Sequence, residues 1–334
     1  MTTNEPQVDR QSADTPTPDS EAQAVSRSGF IAVVGKPNVG KSTLVNALIG
    51  HKVAIVSPKP QTTRRRILGV LTRSDVQMVF MDTPGIHQPK RALSHYMMRE
   101  VETALKDCDV VLFVVELHRP PDEDDRRVAK RIAGLKQPKL MALNKSDLVE
   151  PQQVQEHITA HTSLIGAELP PLTELSGPAR PAATYALPIS STRGDNLDKL
   201  FALLVQRLPV GPAYYPAGQY TDQPQQLLAA EFIREQALHF LDEEVPHSIA
   251  VVVDDWQERP NGVQYISATI FVERESQKGI LIGKGGNMLK QIGAHARAAI
   301  EHELGRRVFL ELWVKVRDDW RKDETWVRRL MSLE

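Results

Sequence analysis

One run of eight residues limits what this 334-residue chain can fold into: Gly35-Lys36-Pro37-Asn38-Val39-Gly40-Lys41-Ser42, the pattern G-x-x-x-x-G-K-S. The apolar run 30–34 before it reads as a buried strand, and 43–49 after it as the start of a helix. A glycine-rich turn between a strand and a helix aims backbone N–H groups inward, where they wrap phosphate oxygens. Lys41 brings a point charge to the β- and γ-phosphates, Ser42 offers a hydroxyl to Mg2+, and Thr43 continues the cradle. The pattern points to a bound nucleotide without saying which.

The rest of the first two-thirds fits that loop. Short apolar runs at 30–34, 76–81, 110–116, 139–144 and 186–190 read as strands buried on both faces. Helical patterns at 41–49, 93–106, 124–134, 151–164 and 196–208 separate them, and 66–72 pairs with 76–81 as a hairpin. The expected fold is α/β, a doubly wound P-loop domain that gathers ligands at the carboxyl ends of its strands. After residue 225 the order changes to helix 227–241, strands 248–254 and 263–273, helix 288–304 and strand 307–316, a separate α+β domain. The expected divisions are a disordered polar tail at 1–28, the P-loop domain at 29–209, a Pro/Gly-rich linker at 210–225 and the second domain at 226–334. Residues 168–184, rich in Pro, Ala and Thr, read as a surface insertion. A single cysteine, Cys108, excludes a disulfide framework and fits a reducing cytoplasm. No segment reaches the ~20 apolar residues of a membrane span. Net charge is −1, so any basic surface must be local.

Two further motifs choose the nucleotide. Asp82-Thr83-Pro84-Gly85 closes the second strand of the hairpin: Asp82 can hold Mg2+ through water, and the Gly85 N–H can meet a γ-phosphate. Asn144-Lys145-Ser146-Asp147 ends the strand begun at 139. The Asp147 carboxylate can accept both N1–H and N2–H of guanine, a donor pair adenine lacks. Asn144 can brace the loop, and the Lys145 stem can cover the base. Ser190 and Ser191 follow the last strand and can turn backbone N–H groups to the guanine O6. Between the phosphate loop and the hairpin lies Pro58-Lys59-Pro60-Gln61-Thr62-Thr63-Arg64-Arg65-Arg66. Thr63, with Thr62 as the alternative, is the candidate third Mg2+ ligand after Ser42 and Asp82. The three arginines read as a solvated switch or partner surface.

Taken in order, these motifs resemble a Ras-like GTPase of the translation-factor-related class, with GTP or GDP and Mg2+ as its ligands. One departure matters. Ile86 stands where Ras-type enzymes carry the glutamine that orients the attacking water. In GTPases with a Pro-Asn-Val-Gly-Lys-Ser loop, an asparagine helps bind a potassium ion in place of an arginine finger. The resemblance carries that role to Asn38 and adds K+ to the cofactor candidates. Asn38, Lys41, Thr63 and Gly85 are then the catalytic candidates.

In the second domain, Ile282 precedes Gly283-Lys284-Gly285-Gly286 at the start of the long helix, with Met288, Leu289 and Ile292 at helical spacing beyond it. A G-x-x-G loop there lets a nucleic-acid backbone approach, Lys284 and the helix N-terminus favour phosphate, and neighbouring apolar residues make a groove for unpaired bases. That is the pattern of a KH RNA-binding domain. From 278 to 322 ten basic residues face five acidic ones, a net +5 that includes Lys290. Trp313, Trp320 and Trp326 read as packing residues rather than base-stacking platforms. His157 and His161, i and i+4 on a helix with no third ligand near, read as a solvated face rather than a zinc site. The acidic run 122–125 reads as a helix cap.

Both halves together resemble the bacterial Era family of ribosome-assembly GTPases, from about residue 29 to the C-terminus. Beside the motifs above, the likeness rests on Ala230-Glu231-Phe232-Ile233-Arg234-Glu235, with Gln236 and Ser191 standing where a lysine and an alanine are usual. The resemblance implies binding near the 3′ end of 16S ribosomal RNA, a GTP-gated role in 30S subunit maturation, and Arg234 among the RNA contacts. It also implies a cytoplasmic monomer, with peripheral contact to the inner membrane in some members. Two other readings are a GTPase of tRNA modification or large-subunit assembly, and an RNA-binding module with a vestigial GTPase half.

Overall fold

The computed structural model describes residues 27–171 and 183–331. The expected tail at 1–28 and the insertion at 168–184 lie largely outside those residues. The first domain is a six-stranded sheet in the order β2-β3-β1-β4-β5-β6. Its strands are β1 (Arg27–Val34), β2 (Ile67–Arg73), β3 (Val76–Asp82), β4 (Val110–Glu116), β5 (Lys139–Asn144) and β6 (Tyr185–Pro188). All neighbours are parallel except the β2–β3 hairpin. β3 and β4 are buried at every position, as parallel strands covered on both faces must be.

Helices α1 (Lys41–Ile49) and α5 (Leu197–Val205) cover one face. Helices α2 (Ala92–Asp107), α3 (Glu123–Ala133) and α4 (Val154–Thr162) cover the other. The acidic run does cap a helix: Asp122 and Asp125 form a reciprocal capping box at the start of α3. His157 and His161 are buried rather than solvated, and each hydrogen-bonds a backbone oxygen (Leu117 and Arg119, both 2.8 Å) after β4. Cys108 is a core residue, and burial pushes its thiol up to about 11.

The second domain packs α6 (Gln225–Phe240), α8 (Glu275–Ile282) and α9 (Asn287–Leu304) on one face of a three-stranded sheet. A four-residue helix, α7 (Val245–Ser248), leads into that sheet. Its strands are β7 (Ala250–Glu258), β8 (Gln264–Val272) and β9 (Val308–Val316), antiparallel then parallel. Two helices go beyond what the sequence pattern predicts. α8 stands before the glycine loop, so the loop joins two helices instead of opening one. α10 (Glu324–Met331) leaves the second domain and returns to α2, placing Val327, Leu330 and Met331 in a core shared with the first sheet. Trp320 lies in the same core, fully buried, with its ring N–H on the Ser248 carbonyl (2.8 Å). Trp326 is half-buried between two arginines, and Trp313 is exposed.

Candidate functional site

The register of the first sheet brings the motifs together. Val33 pairs with Asp82 and Glu116 with Asn144, so the loops after β1, β3 and β5 meet at one edge. Helix α1 begins at Gly40, which has φ 93° and no side-chain cap. The first-turn N–H groups are therefore free to face an anion. Two close approaches demand glycine. A Cβ at Gly40 would run into the Asn144 amide, and one at Gly85 would sit 2.6 Å from the Pro37 nitrogen. Asn144 is the brace expected of it: it donates to the Val39 carbonyl (2.8 Å) and accepts from the Ser191 N–H (3.0 Å) and hydroxyl (2.8 Å). The Ser190 hydroxyl lies 3.2 Å from that of Thr192. Lys145 reaches the Asn38 carbonyl (2.9 Å) and pairs with Glu116. Asp147 follows on a single 3-10 turn, 3.8 Å from Arg193.

A cavity of about 470 Å³ opens between these loops, lined by Lys41, Ser42, Thr63 and Gly85 among others. Lys41 is almost fully buried and rests on the Gly35 and Lys36 carbonyls, acceptors that hold it ready for phosphate. Burial pushes its ammonium down to about 8, against the pull of Asp82. The Lys36 side chain takes no place in the cavity; it pairs with Asp122 and Asp125, both at 2.7 Å. Thr83 likewise turns its hydroxyl to the Val33 carbonyl (2.7 Å). For Lys36 and Thr83, as for Val39 and Pro84, only backbone remains to face a nucleotide.

Three oxygens converge as a metal ligand set. Ser42 Oγ is 2.6 Å and Thr63 Oγ1 3.3 Å from Asp82 Oδ2, and the two hydroxyls are 2.9 Å apart. Asp82 is fully buried and its Oδ1 has no partner. Burial pushes its carboxyl up to about 6, with Lys41 and the two hydroxyls pulling the other way. A hydrated Mg2+ fits this set: it would give the orphaned oxygen a partner and the carboxylate a counter-charge. Thr63 is the threonine whose hydroxyl lies in this set; that of Thr62 is on the Lys59 carbonyl (2.7 Å). Ile86 is 1% exposed, packed in the core with its N–H on the Gly35 carbonyl (3.0 Å), away from the cavity.

The second site is a groove of about 420 Å³ between α9 and β9. Gly286, Leu289, Lys290 and Gly293 form one wall, and Leu310 and Leu312 the other. Gly283 has φ 71° and ψ 172°, and a Cβ there would meet Met288 at 2.7 Å. Lys284 and Gly285 are exposed at the tip, and Ile282 is half-buried beside it. Arg297, one helical repeat beyond Lys290, joins the groove; that seven-residue spacing is its signal in the sequence. β9 contributes through an alternation that reads equally well as core.

Arg234 corrects an expectation. It is 2% exposed and lies between the domains, where no RNA could reach it. It forks onto Glu231 (3.0 and 2.6 Å) and hydrogen-bonds the Thr62 carbonyl. Arg64 is no solvated residue either: it is buried and donates to the Ile249 and His247 carbonyls. Glu235 takes the Val56 N–H (3.0 Å) and Lys52 (2.5 Å), and Ile55 packs into the core of the second domain. The loop 52–66, which carries the metal-site threonine, is thus clasped by α6.

A phosphate loop, a guanine-type base loop, a buried carboxylate flanked by two hydroxyls and a glycine-loop groove define the class: a P-loop GTPase joined to a KH domain. A family model described as a 50S ribosome-binding GTPase matches residues 30–145, and a KH-domain model matches 244–321. GTPase Era of Heliobacterium modesticaldum is 46% identical over 296 residues, 89% of this chain and 94% of its own. Two solved structures superpose with a TM-score of 0.83 at 39% identity, covering 91% of this chain and 98% of theirs. One is Era in complex with MgGDPNP and nucleotides 1506–1542 of 16S ribosomal RNA; the other is a tyrosine-to-alanine variant of Aquifex aeolicus Era bound to GDP·AlF4−. The chain belongs to the Era family of GTPases. No helix among the described residues is long and apolar enough to cross a membrane.

Proposed function

We propose that the protein is a GTP-driven switch that binds 16S ribosomal RNA near its 3′ end and acts in maturation of the 30S subunit. The observation that carries this is the clasp: the segment holding Thr63 at the metal site is the one that Arg234 and Glu235 tie to the KH domain. The RNA-bound Era structure supports the choice of RNA. Division of the chain into a GTPase domain at 29–209, a linker at 210–225 and a KH domain from 226 follows from the same reading, with α10 tying the C-terminus back to the first domain. The two domains share core residues within one chain, with Trp320 and α10 packed on the first sheet and Ile55 in the second domain, which suits a monomer. The test is to crosslink RNA to the chain with a GTP analogue bound and sequence it. Small-subunit 3′ sequence is expected; tRNA or large-subunit RNA would contradict the reading.

In this reading Gly35–Ser42 and Thr43 hold the phosphates, and Ser42, Thr63 and Asp82 hold Mg2+. The Gly85 N–H meets the γ-phosphate, and Asn144, Lys145, Asp147, Ser190 and Ser191 enclose guanine. In the groove, replacing Lys290 and Arg297 by alanine is expected to weaken binding to an RNA of the 1506–1542 sequence. The log–log salt slope should become shallower by about 1.4, or ~0.7 for each single-strand phosphate left without its cation. Fluorescence anisotropy across a salt series checks this.

Asn38 donates to the Pro58 carbonyl (3.0 Å) and lines the phosphate end of the cavity. We propose that its amide oxygen helps hold a potassium ion there. Hydrolysis is then expected to run at least about tenfold faster in potassium than in sodium, and Asn38→Ala should abolish the difference. Equal turnover of the wild type in the two salts would contradict the role.

A further inference from the structure

With Ile86 turned into the core, the residue that orients the attacking water must come from elsewhere. We propose that it is Gln61, with His87 holding its carboxamide in place; the proposal rests on the GTPase reading above. Gln61 lines the same cavity as Gly85, Lys41 and Thr63. It has φ 62°, the left-handed region that a side chain with a Cβ rarely adopts. Its neighbours hold it there: Thr62 Oγ1 on the Lys59 carbonyl, and Arg234 on the Thr62 carbonyl. Strain of this kind persists where the surroundings over-determine it, and it clusters at working sites.

The hydrogen bonds fix which way the carboxamide points. His87 Nδ1 lies 2.8 Å from the Gly85 carbonyl. A carbonyl only accepts, so Nδ1 carries the proton and Nε2 presents a lone pair. Gln61 Nε2 lies 3.4 Å from that Nε2 and therefore donates to it. The amide oxygen of Gln61 is left as an acceptor for a water proton. Of the other polar side chains lining the phosphate end, Thr62 is on Lys59, Ser42 and Thr63 are with Asp82, and Asn38, its Nδ2 on Pro58, has its oxygen assigned to potassium.

In the hydrolysis step the water oxygen bonds to the γ-phosphorus while the bond to the β–γ bridging oxygen breaks. GDP leaves with that electron pair, and a water proton ends on the phosphate product. Gln61 aligns the water and is not itself protonated, the part a neutral carboxamide plays in phosphoryl transfer. Gln61 thus replaces the missing glutamine from a different loop. Gln61 precedes β2 and His87 follows β3, so the pair bridges the two loops that flank the γ-phosphate end of the cavity.

The test compares the full-length wild type, Gln61→Ala, His87→Ala, the double variant and His87→Gln, all in potassium. Single-turnover GTP hydrolysis is measured beside affinity for GDP and a non-hydrolysable GTP analogue. Gln61→Ala is expected to lower the hydrolysis rate about 10- to 100-fold with both affinities within about twofold, the signature of an interaction made in the transition state. His87→Ala should lower the rate less, and the double variant should be no slower than Gln61→Ala alone. His87→Gln, which keeps an acceptor, should recover part of the loss. Wild-type turnover in Gln61→Ala, or affinity falling in step with rate, would overturn the proposal; multiplicative effects in the double variant would overturn the role of His87. A wild type that binds but does not hydrolyse GTP would instead overturn the GTPase reading beneath it.

Discussion

Arg234→Ala is expected to lower the thermal unfolding temperature by about 10 °C and to uncouple the RNA groove from the nucleotide. Glu231 is buried, which alone would raise its carboxyl, but Arg234, Arg65 and Arg64 more than offset that and hold it below its ordinary value. Removing the forked partner leaves that charge buried beside Arg65, which is 3.9 Å away. Breaking a buried pair in this way costs about 3–5 kcal/mol, and in a chain of this size each kcal/mol moves the midpoint by roughly 2–4 °C. Arg234→Lys should recover only part, because an ammonium cannot reach Glu231 and the Thr62 carbonyl as a rigid fork does. Replacing Glu231 and Arg234 together by leucine and methionine removes the stranded charge and should restore most of the stability. The coupling should stay absent in that double variant, since Thr62 still lacks its donor. Differential scanning calorimetry, with RNA affinity measured in both nucleotide states, separates the two effects.

Asp147→Ala is expected to lower GDP affinity by about two to three orders of magnitude and to erase preference for guanine over adenine. A carboxylate that accepts the ring N1–H and the exocyclic N2–H of guanine faces a ring nitrogen in adenine and stays unpaired, so selectivity of about 10,000-fold is within reach of this one group. Losing two hydrogen bonds to a charged acceptor, each worth about 1.5–3 kcal/mol, accounts for a loss of affinity of that size. The phosphate cradle around Lys41 and Gly40 is untouched, so weak binding of either nucleotide should persist. Calorimetric titration with GDP and ADP checks this; an alanine variant that still prefers GDP would contradict the assignment.

The parts of this molecule legible in its sequence are those that local chemistry encodes. Gly35–Ser42, Asp82–Gly85 and Asn144–Asp147 each sit at a strand end that apolar runs announce, and the described strands and helices of the first domain fall within a few residues of the expected ones. Arg64 and Arg234 mislead for a physical reason. Charged residues are seldom buried unpaired, and the carbonyls that tie these two between the domains, Ile249 and His247 for Arg64 and Thr62 for Arg234, lie more than 170 residues away in the chain. Helix α8 is hidden by its length and by Gly279, and α10 by its eight residues. Gln61 stands in a motif whose threonines carry the obvious chemistry. Its own role depends on a backbone angle and on a histidine 26 positions on, neither of which leaves a periodic trace.

The central claim is that the metal site, the loop 52–66 and helix α6 form one unit, so that nucleotide state sets how the KH groove is presented. Its most direct test is the affinity of the full-length protein for an RNA of the 1506–1542 sequence, measured at one salt concentration with Mg2+ and either a non-hydrolysable GTP analogue or GDP. The account predicts tighter binding in the GTP-analogue state and disappearance of the difference in Arg234→Ala. Equal affinity in the two states of the wild type would contradict it.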